Sequence, residues 1–154
     1  MTDQLQLIQT KLQHLARMQQ YLAYSLGQVE LMLPLKDWSA LTPDQHESLA
    51  AFRVRFSEFQ EHIGKAMRAV AIEEEQDVDR FGAVLAFMER LQILDSSEHW
   101  KLIRELRNAV NHEYEDDSLR LAEFFELLVV QTPVLFDYLS RLSGYCAKAY
   151  GLGT

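Results

Sequence analysis

The stretch TPDQHESLAAFRVRFSEFQEHIGKAMRAV, residues 42–70, carries both a helix start signal and a long apolar stripe. Thr42 followed by Pro43, with Gln45 three residues beyond Thr42, is typical of an N-cap, a proline in the first turn and a capping-box glutamine. Steps of three and four residues, the spacing of one helix face, separate the apolar side chains Leu49, Phe52, Phe56, Phe59, Ile63, Met67 and Val70. The stretch therefore predicts a long helix that begins at Thr42 and buries one face.

The flanking segments repeat this helical spacing. A first helix is predicted to run to about Gly27. A third helix, capped by Asp77 or Asp79, is predicted to end near Leu94. Asp95 with a glutamate three residues later resembles another capping box, which predicts the start of a fourth helix.

A fifth helix is predicted after the acidic residues 113–117, and Pro133 is expected to kink it. No segment alternates with period two between turns, so no strand is predicted. Each apolar stripe must be buried against another helix. We therefore predict an all-α, antiparallel four- to five-helix bundle that forms a single domain over residues 1–154.

Composition places the chain among ordinary globular proteins. Its 154 residues are 48% hydrophobic and 25% charged, which excludes disordered and fibrous classes. The single Cys146 cannot form an internal disulfide, and the first residues do not combine a basic start with an apolar core, so a cytoplasmic protein is expected. The longest apolar runs, such as residues 127–130, fall far short of the roughly 20 residues of a membrane span, so no membrane association is expected.

The formal net charge of −8 argues against a broad basic surface for nucleic acid. Any such contact has to be local. A local patch requires the fold to gather arginines that are scattered along the sequence, namely Arg53, Arg55, Arg68, Arg104, Arg107 and Arg120.

Several familiar kinds of site lack their sequence signals. No histidine follows a glutamate by three residues, as di-iron bundles require, and one cysteine with scattered histidines gives no zinc spacing. No metal and no cofactor are therefore expected. Cys146 is interpreted as a packed residue rather than a nucleophile. Surface or core-edge roles are expected for His14, His46, His62 and His99.

The stretch RELRNAVNHEYEDD, residues 104–117, crowds polar residues at a helix end. A histidine such as His112 suits proton transfer, because the unperturbed pKa of an imidazole is about 6.5, and Arg107 offers a planar charged fork that matches phosphate. Such a pair is sufficient for metal-free RNA cleavage by the 2′-hydroxyl. At about 100° per residue, however, the two side chains point to different faces of a regular helix. Either the helix unwinds near Asn111, or a second subunit completes the site; alternatively, these polar residues simply solvate a helix end.

The pattern Arg107-Asn108, three residues, His112, one residue, Tyr114 resembles the signature of HEPN-domain proteins, in particular the HepT-like toxins of HEPN/MNT toxin–antitoxin pairs. The resemblance implies a metal-independent endoribonuclease that cleaves RNA at a cleft in a twofold homodimer. Arg107 and His112 would be its catalytic pair, Asn108 would position the arginine or the RNA backbone, and Arg104 would add support.

Regulation also follows from the resemblance. A partner MNT-type nucleotidyltransferase antitoxin would attach AMP to the hydroxyl of Tyr114, and the added negative charge would repel RNA phosphate. HEPN domains also occur as noncatalytic partner subunits of small nucleotidyltransferases. That interaction module and an unrelated helical bundle are the alternative interpretations.

Overall fold

A computed structural model describes residues 1–109 and 117–153 of the chain. Within them lie five α-helices, a short 3-10 helix at Trp38–Ala40 and no strand. The α-helices are α1 (Asp3–Glu30), α2 (Pro43–Glu73), α3 (Phe81–Arg90), α4 (Ser97–Ala109) and α5 (Ser118–Tyr150). The predicted all-α helical bundle is confirmed.

Helix α2 is the centre of this bundle, because it packs against each of the other four α-helices. Its start has the predicted form: the backbone N–H of Gln45 donates to Oγ1 of Thr42 across 3.2 Å, and that of Thr42 donates to Oε1 of Gln45 across 2.9 Å. Every member of the predicted stripe is buried. The prediction from residues 42–70 is therefore confirmed.

Helix α1 extends one turn beyond the predicted end at Gly27. Val29 is fully buried, so the apolar stripe and the helix both continue to Glu30. A glycine in a helix costs only about 1 kcal/mol relative to alanine, which packing of the next turn offsets.

The predicted boundaries of the third helix are wrong. Neither Asp77 nor Asp79 caps α3, because Arg80 precedes it without a side-chain cap and the Asp77 carboxylate accepts from the Asp79 backbone across 2.9 Å. The helix ends at Arg90 rather than near Leu94. Gln92 adopts a left-handed conformation with φ of 60°, and the backbone N–H of residue 93 donates to the carbonyl of residue 88. This pattern closes a helix, so Leu94 is buried from the turn that follows.

The predicted capping box of the fourth helix is also wrong. Ser96 supplies the cap, since its Oγ accepts from the backbone N–H of His99 across 3.0 Å. Asp95 instead accepts from the Arg141 guanidinium across 2.8 Å, which joins the start of α4 to α5. A partner distant in the sequence has therefore displaced the local role of Asp95.

Helix α5 begins at an Asp117 cap and continues through Pro133 to Tyr150. Pro133 has no N–H to donate to the preceding turn. In that turn the hydroxyl of Thr132 donates to the carbonyl of Leu128 across 2.7 Å. The kink expected at Pro133 stays a prediction.

None of the helices in residues 1–109 and 117–153 is both long enough and apolar enough to cross a membrane.

Candidate functional site

The polar stretch at residues 104–117 is described only in part. Arg104, Arg107 and Asn108 lie on the last turns of α4. His112 and Tyr114 lie outside the described residues, and so does Asn111, where unwinding was predicted. The described site is therefore the part of the molecule around Arg107.

Arg107 contacts the residue that follows it. Its Nε and Nη2 atoms lie 3.4 Å and 3.3 Å from Oδ1 of Asn108, which is longer than a strong hydrogen bond. The arginine is half-buried, whereas Asn108 is exposed. The amide therefore restrains the guanidinium weakly, and its predicted role toward RNA stays a prediction.

Two clefts between α2 and α4 share Arg107 in their walls. The first has a volume of about 350 Å³, with cationic walls and a floor that includes Phe81 and Trp100. The second, of about 310 Å³, runs along Val54 and Ser57 of α2 toward Asn108. Because both contain Arg107 and Glu61, they form one continuous surface on either side of the arginine, which we call the α2/α4 clefts.

The helical spacing explains why cations line these clefts. Lys65 and Arg68 are three residues apart on α2, and Arg104 and Arg107 are three apart on α4, so each pair faces one direction. Arg53 lines the second cleft, one helix turn before Ser57. The α2/α4 clefts thus bring together five cationic side chains against two acidic ones, Glu58 and Glu61, in a chain whose net charge is −8.

The possible arginine patch is therefore realised only in part. Arg55 points elsewhere, where its Nη1 donates to Oγ of Ser25 across 2.7 Å. Arg120 pairs with Asp117 at 3.5 Å at the start of α5. The remaining four arginines line the α2/α4 clefts: Arg53, Arg68, Arg104 and Arg107.

Few of these charges are neutralised within the protein. Lys65 and Glu61 form an exposed pair at 3.6 Å. In the part of the chain that the structure describes, no carboxylate lies within 4.0 Å of the charged nitrogens of the four cleft arginines. An arginine without an acidic partner keeps its positive charge available to an external anion such as phosphate.

The first cleft also contains a buried polar side chain. Gln60 is only 1% exposed, and neither its Nε2 nor its Oε1 has a hydrogen-bond partner among the described residues. An unpaired buried amide costs free energy, so such groups are rare. Gln60 was not predicted from the sequence, although a signal was present: this polar residue lies four residues after Phe56 and three before Ile63, on the apolar stripe.

Gly64 allows the floor of the first cleft to lie close to α2. A Cβ atom at this position would lie 3.4 Å from Cζ of Phe81 and 3.5 Å from Cζ2 of Trp100. The two rings therefore pack close to the backbone of α2, and a larger side chain at position 64 would push them away from it.

Cys146 has no features of a nucleophile. It is fully buried, and burial together with the nearby charge of Glu74 raises the pKa of its thiol to about 12. The four histidines expected at the surface or core edge are exposed or half-buried, as predicted. In residues 1–109 and 117–153, no cluster of three or more histidine, cysteine or acidic residues could hold a metal ion.

The fold and these clefts define an all-α helical bundle with a local cationic surface on an acidic chain. No model of a known protein family, no curated protein and no solved structure matches the sequence or the fold. Assignment of a function therefore rests on the motif at residues 107–114 and on the surface around Arg107.

Proposed function

We propose that this chain is a HepT-like, metal-independent endoribonuclease toxin with Arg107 and His112 as its catalytic pair. The observation that supports the proposal most strongly is the position of Arg107 in the α2/α4 clefts. Of the two motif residues that the structure describes, Arg107 lines both cationic clefts, whereas Asn108 lines one. A helix end that merely solvates itself would not require such a setting.

The chemistry needs no metal. His112 accepts the proton of a ribose 2′-hydroxyl as the 2′-oxygen attacks the adjacent phosphorus. Arg107 stabilises the extra negative charge on the pentacoordinate phosphorus. The bond to the 5′-oxygen then breaks, the leaving oxygen takes a proton from water, and His112 returns its proton to the solvent. The products are a 2′,3′-cyclic phosphate and a 5′-hydroxyl.

The neighbouring cations would hold the RNA backbone on both sides of the cleaved phosphate. Lys65, Arg68 and Arg104 lie on one side of Arg107, and Arg53 lies on the other. Phosphate contacts of this kind position a strand without reading its sequence. Asn108, in contact with Arg107, would limit the orientations of the guanidinium.

A twofold homodimer would complete the site. Support for this part of the proposal comes from the exposed apolar side chains of α4 and α5: Leu102 is 62% exposed, Leu127 50% and Val130 63%. Leu102 and Leu127 line one cleft between the two helices. Exposed apolar groups that lie side by side favour a protein interface, and this one includes the helix that carries Arg107.

The proposed partner is an MNT-type nucleotidyltransferase antitoxin in the cytoplasm. AMP attached to Tyr114 adds negative charge close in sequence to the cationic clefts. Added charge there would repel RNA phosphate and would lower activity. Intact mass after incubation with the partner and ATP measures the modification, and it should disappear in Tyr114→Phe.

Growth arrest on expression tests the catalytic assignment. We expect wild type to arrest growth and both Arg107→Ala and His112→Ala to relieve it. Arg17→Ala, which removes an exposed arginine of α1, is the matched control and should remain toxic. Purified wild type should release products with 2′,3′-cyclic phosphate ends. Harmless wild type that still forms a stable complex with a nucleotidyltransferase would replace this proposal with the noncatalytic partner subunit.

A further inference from the structure

The first of the α2/α4 clefts contains chemistry that a bare phosphate does not use. Gln60 is a buried carboxamide with one donor and one acceptor group, and both lack partners among the described residues. Close to it lie the two aromatic rings of the cleft floor, Phe81 and Trp100. Phosphate binding explains the cations on the walls, but it explains neither the amide nor the rings.

A nucleobase satisfies all of these groups together. It has a flat apolar face for aromatic rings and an edge of donors and acceptors for an amide. The sugar and phosphate attached to it would then lie toward Lys65, Arg68 and Arg104 on the cleft walls. The cleft volume of about 350 Å³ lies within the range of small-molecule sites.

We propose that this cleft binds one unpaired nucleobase of the RNA next to the cleaved phosphate, and that Gln60 makes adenine the preferred base. The inference rests on the proposed ribonuclease function and adds a specificity residue to it. In the bound state Oε1 of Gln60 accepts from the adenine N6 amino group while Nε2 donates to N7. A carboxamide can pair with adenine through two hydrogen bonds, because its donor and acceptor match the adjacent acceptor and donor on this edge of the base.

Gln60 is available for this pairing because its amide has no hydrogen-bond partner among the described residues. No hydrogen bond to a described residue holds the amide in one rotamer, so it can turn toward an entering base. Phe81, at the first position of α3, is only half-buried and is the more open of the two rings. Pairing with the base would satisfy a polar group that is unsatisfied in the free protein.

Binding of fluorescein-labelled uridine hexamers, in which one central base is U, A, C or G, tests the proposal. The protein is the full chain with His112→Ala, so that the RNA stays intact. We expect the hexamer with adenine to bind about tenfold more tightly than the all-uridine one. Adding Gln60→Met, which keeps the length of the side chain and removes both polar atoms, should abolish the preference, so that the hexamer with adenine and the all-uridine hexamer bind equally tightly. An unchanged adenine preference in Gln60→Met would overturn the proposal.

The melting temperature of Gln60→Met distinguishes recognition from a structural role. Because both polar atoms lack partners, the substitution should leave the melting temperature equal or higher. A large decrease together with unchanged base preference would make Gln60 a structural residue.

A second measurement, the fluorescence of Trp100, needs no Gln60 variant. Trp100 is one of two tryptophans, so in a Trp38→Phe background the hexamer with adenine should quench its fluorescence, and absence of quenching contradicts the proposal.

Two further experiments distinguish failure of the inferred base site from failure of the proposed ribonuclease function. AMP should bind more weakly than the hexamer, because the cations of the α2/α4 clefts can contact several phosphates; equal affinity would assign the cleft to a free nucleotide and overturn the RNA assignment. If cleavage depends on His112 and Gln60→Met keeps the base preference of wild type, the inferred role of Gln60 is wrong and the proposed ribonuclease function stands. Base binding that depends on Gln60, without any cleavage, would keep the inferred base site and overturn the proposed ribonuclease function.

Discussion

The phenol oxygen of Tyr138 lies 3.0 Å from Nδ1 of His99, and this hydrogen bond joins the middle of α5 to the first turn of α4. On the other side of the imidazole, Nε2 lies 2.9 Å from Oε1 of Gln131, which is also on α5. In this arrangement Nε2 donates and Nδ1 accepts. Two hydrogen bonds from α5 therefore fix the start of the helix that carries Arg104 and Arg107.

Removal of the Tyr138 hydroxyl should destabilise the protein. Tyr138 is fully buried, so Tyr138→Phe leaves Nδ1 of His99 without its donor while the ring stays in place. We expect the free energy of unfolding to fall by roughly 1–2 kcal/mol, as measured by urea denaturation. Tyr24→Phe is the matched control, because Tyr24 is 66% exposed and should change stability by less than about 0.5 kcal/mol. Equal effects from the two substitutions would contradict the role given to the hydrogen bond.

Alkaline pH should unfold the protein through groups at the C-terminal end of α5. Burial raises the pKa of the Cys146 thiol to about 12, with a contribution from the charge of Glu74. Burial and a hydrogen bond to the Glu74 carboxylate raise the pKa of Tyr145 to about 12. These groups lose their protons in the unfolded chain first, so their contribution is complete below the unfolded pKa values and decreases as pH rises toward 12.

The urea midpoint as a function of pH measures this effect. The free energy of unfolding, obtained from the midpoint, should stay level up to about pH 8.5 and then decline, by at most about 1.4 kcal/mol per pH unit for each group. Cys146→Ala should make the decline shallower between about pH 8.5 and 10, where the unfolded thiol ionises. A midpoint that rises with pH in this interval would have the wrong sign for a buried thiol.

The sequence predicts what local interactions decide. The start of α2 depends on Thr42 and Gln45, three residues apart, and was predicted correctly. The starts of α3 and α4 were not, because α3 begins without a side-chain cap and α4 is capped by Ser96 rather than by Asp95. Asp95 instead pairs with Arg141, which lies 46 residues further along the chain.

The same distinction applies to the candidate site. Arg107 and Asn108 stand out in the sequence because they belong to a compact motif. The cleft around them depends on how α2 packs on α4, and no spacing rule gives this packing. Gln60 is intermediate: a polar residue on an apolar stripe is visible in the sequence, but only the structure shows that the amide has no partner and lines a cleft.

Loss of cleft cations should weaken RNA binding and reduce its salt dependence. In the His112→Ala background, we expect Arg68→Gln and Arg104→Gln each to lower affinity for the all-uridine hexamer. The slope of log affinity against log salt should fall by about 0.7 for each phosphate contact that is lost. Arg17→Gln, on the exposed surface of α1, should leave both affinity and slope unchanged. Equal losses in all three variants would point to general electrostatic attraction rather than to the α2/α4 clefts.

The proposed dimer interface gives the last prediction. Leu102→Glu places a charge on the exposed apolar surface between α4 and α5, where burial against a second copy would leave it unpaired. We expect light scattering to show a dimer for wild type and a monomer for Leu102→Glu, with the loss of growth arrest as a second readout. Leu31 is 82% exposed at the end of α1, so Leu31→Glu should remain dimeric and toxic. A monomeric Leu102→Glu that still arrests growth would show that one subunit contains the complete site, and the unwinding near Asn111 would then have to bring Arg107 and His112 together.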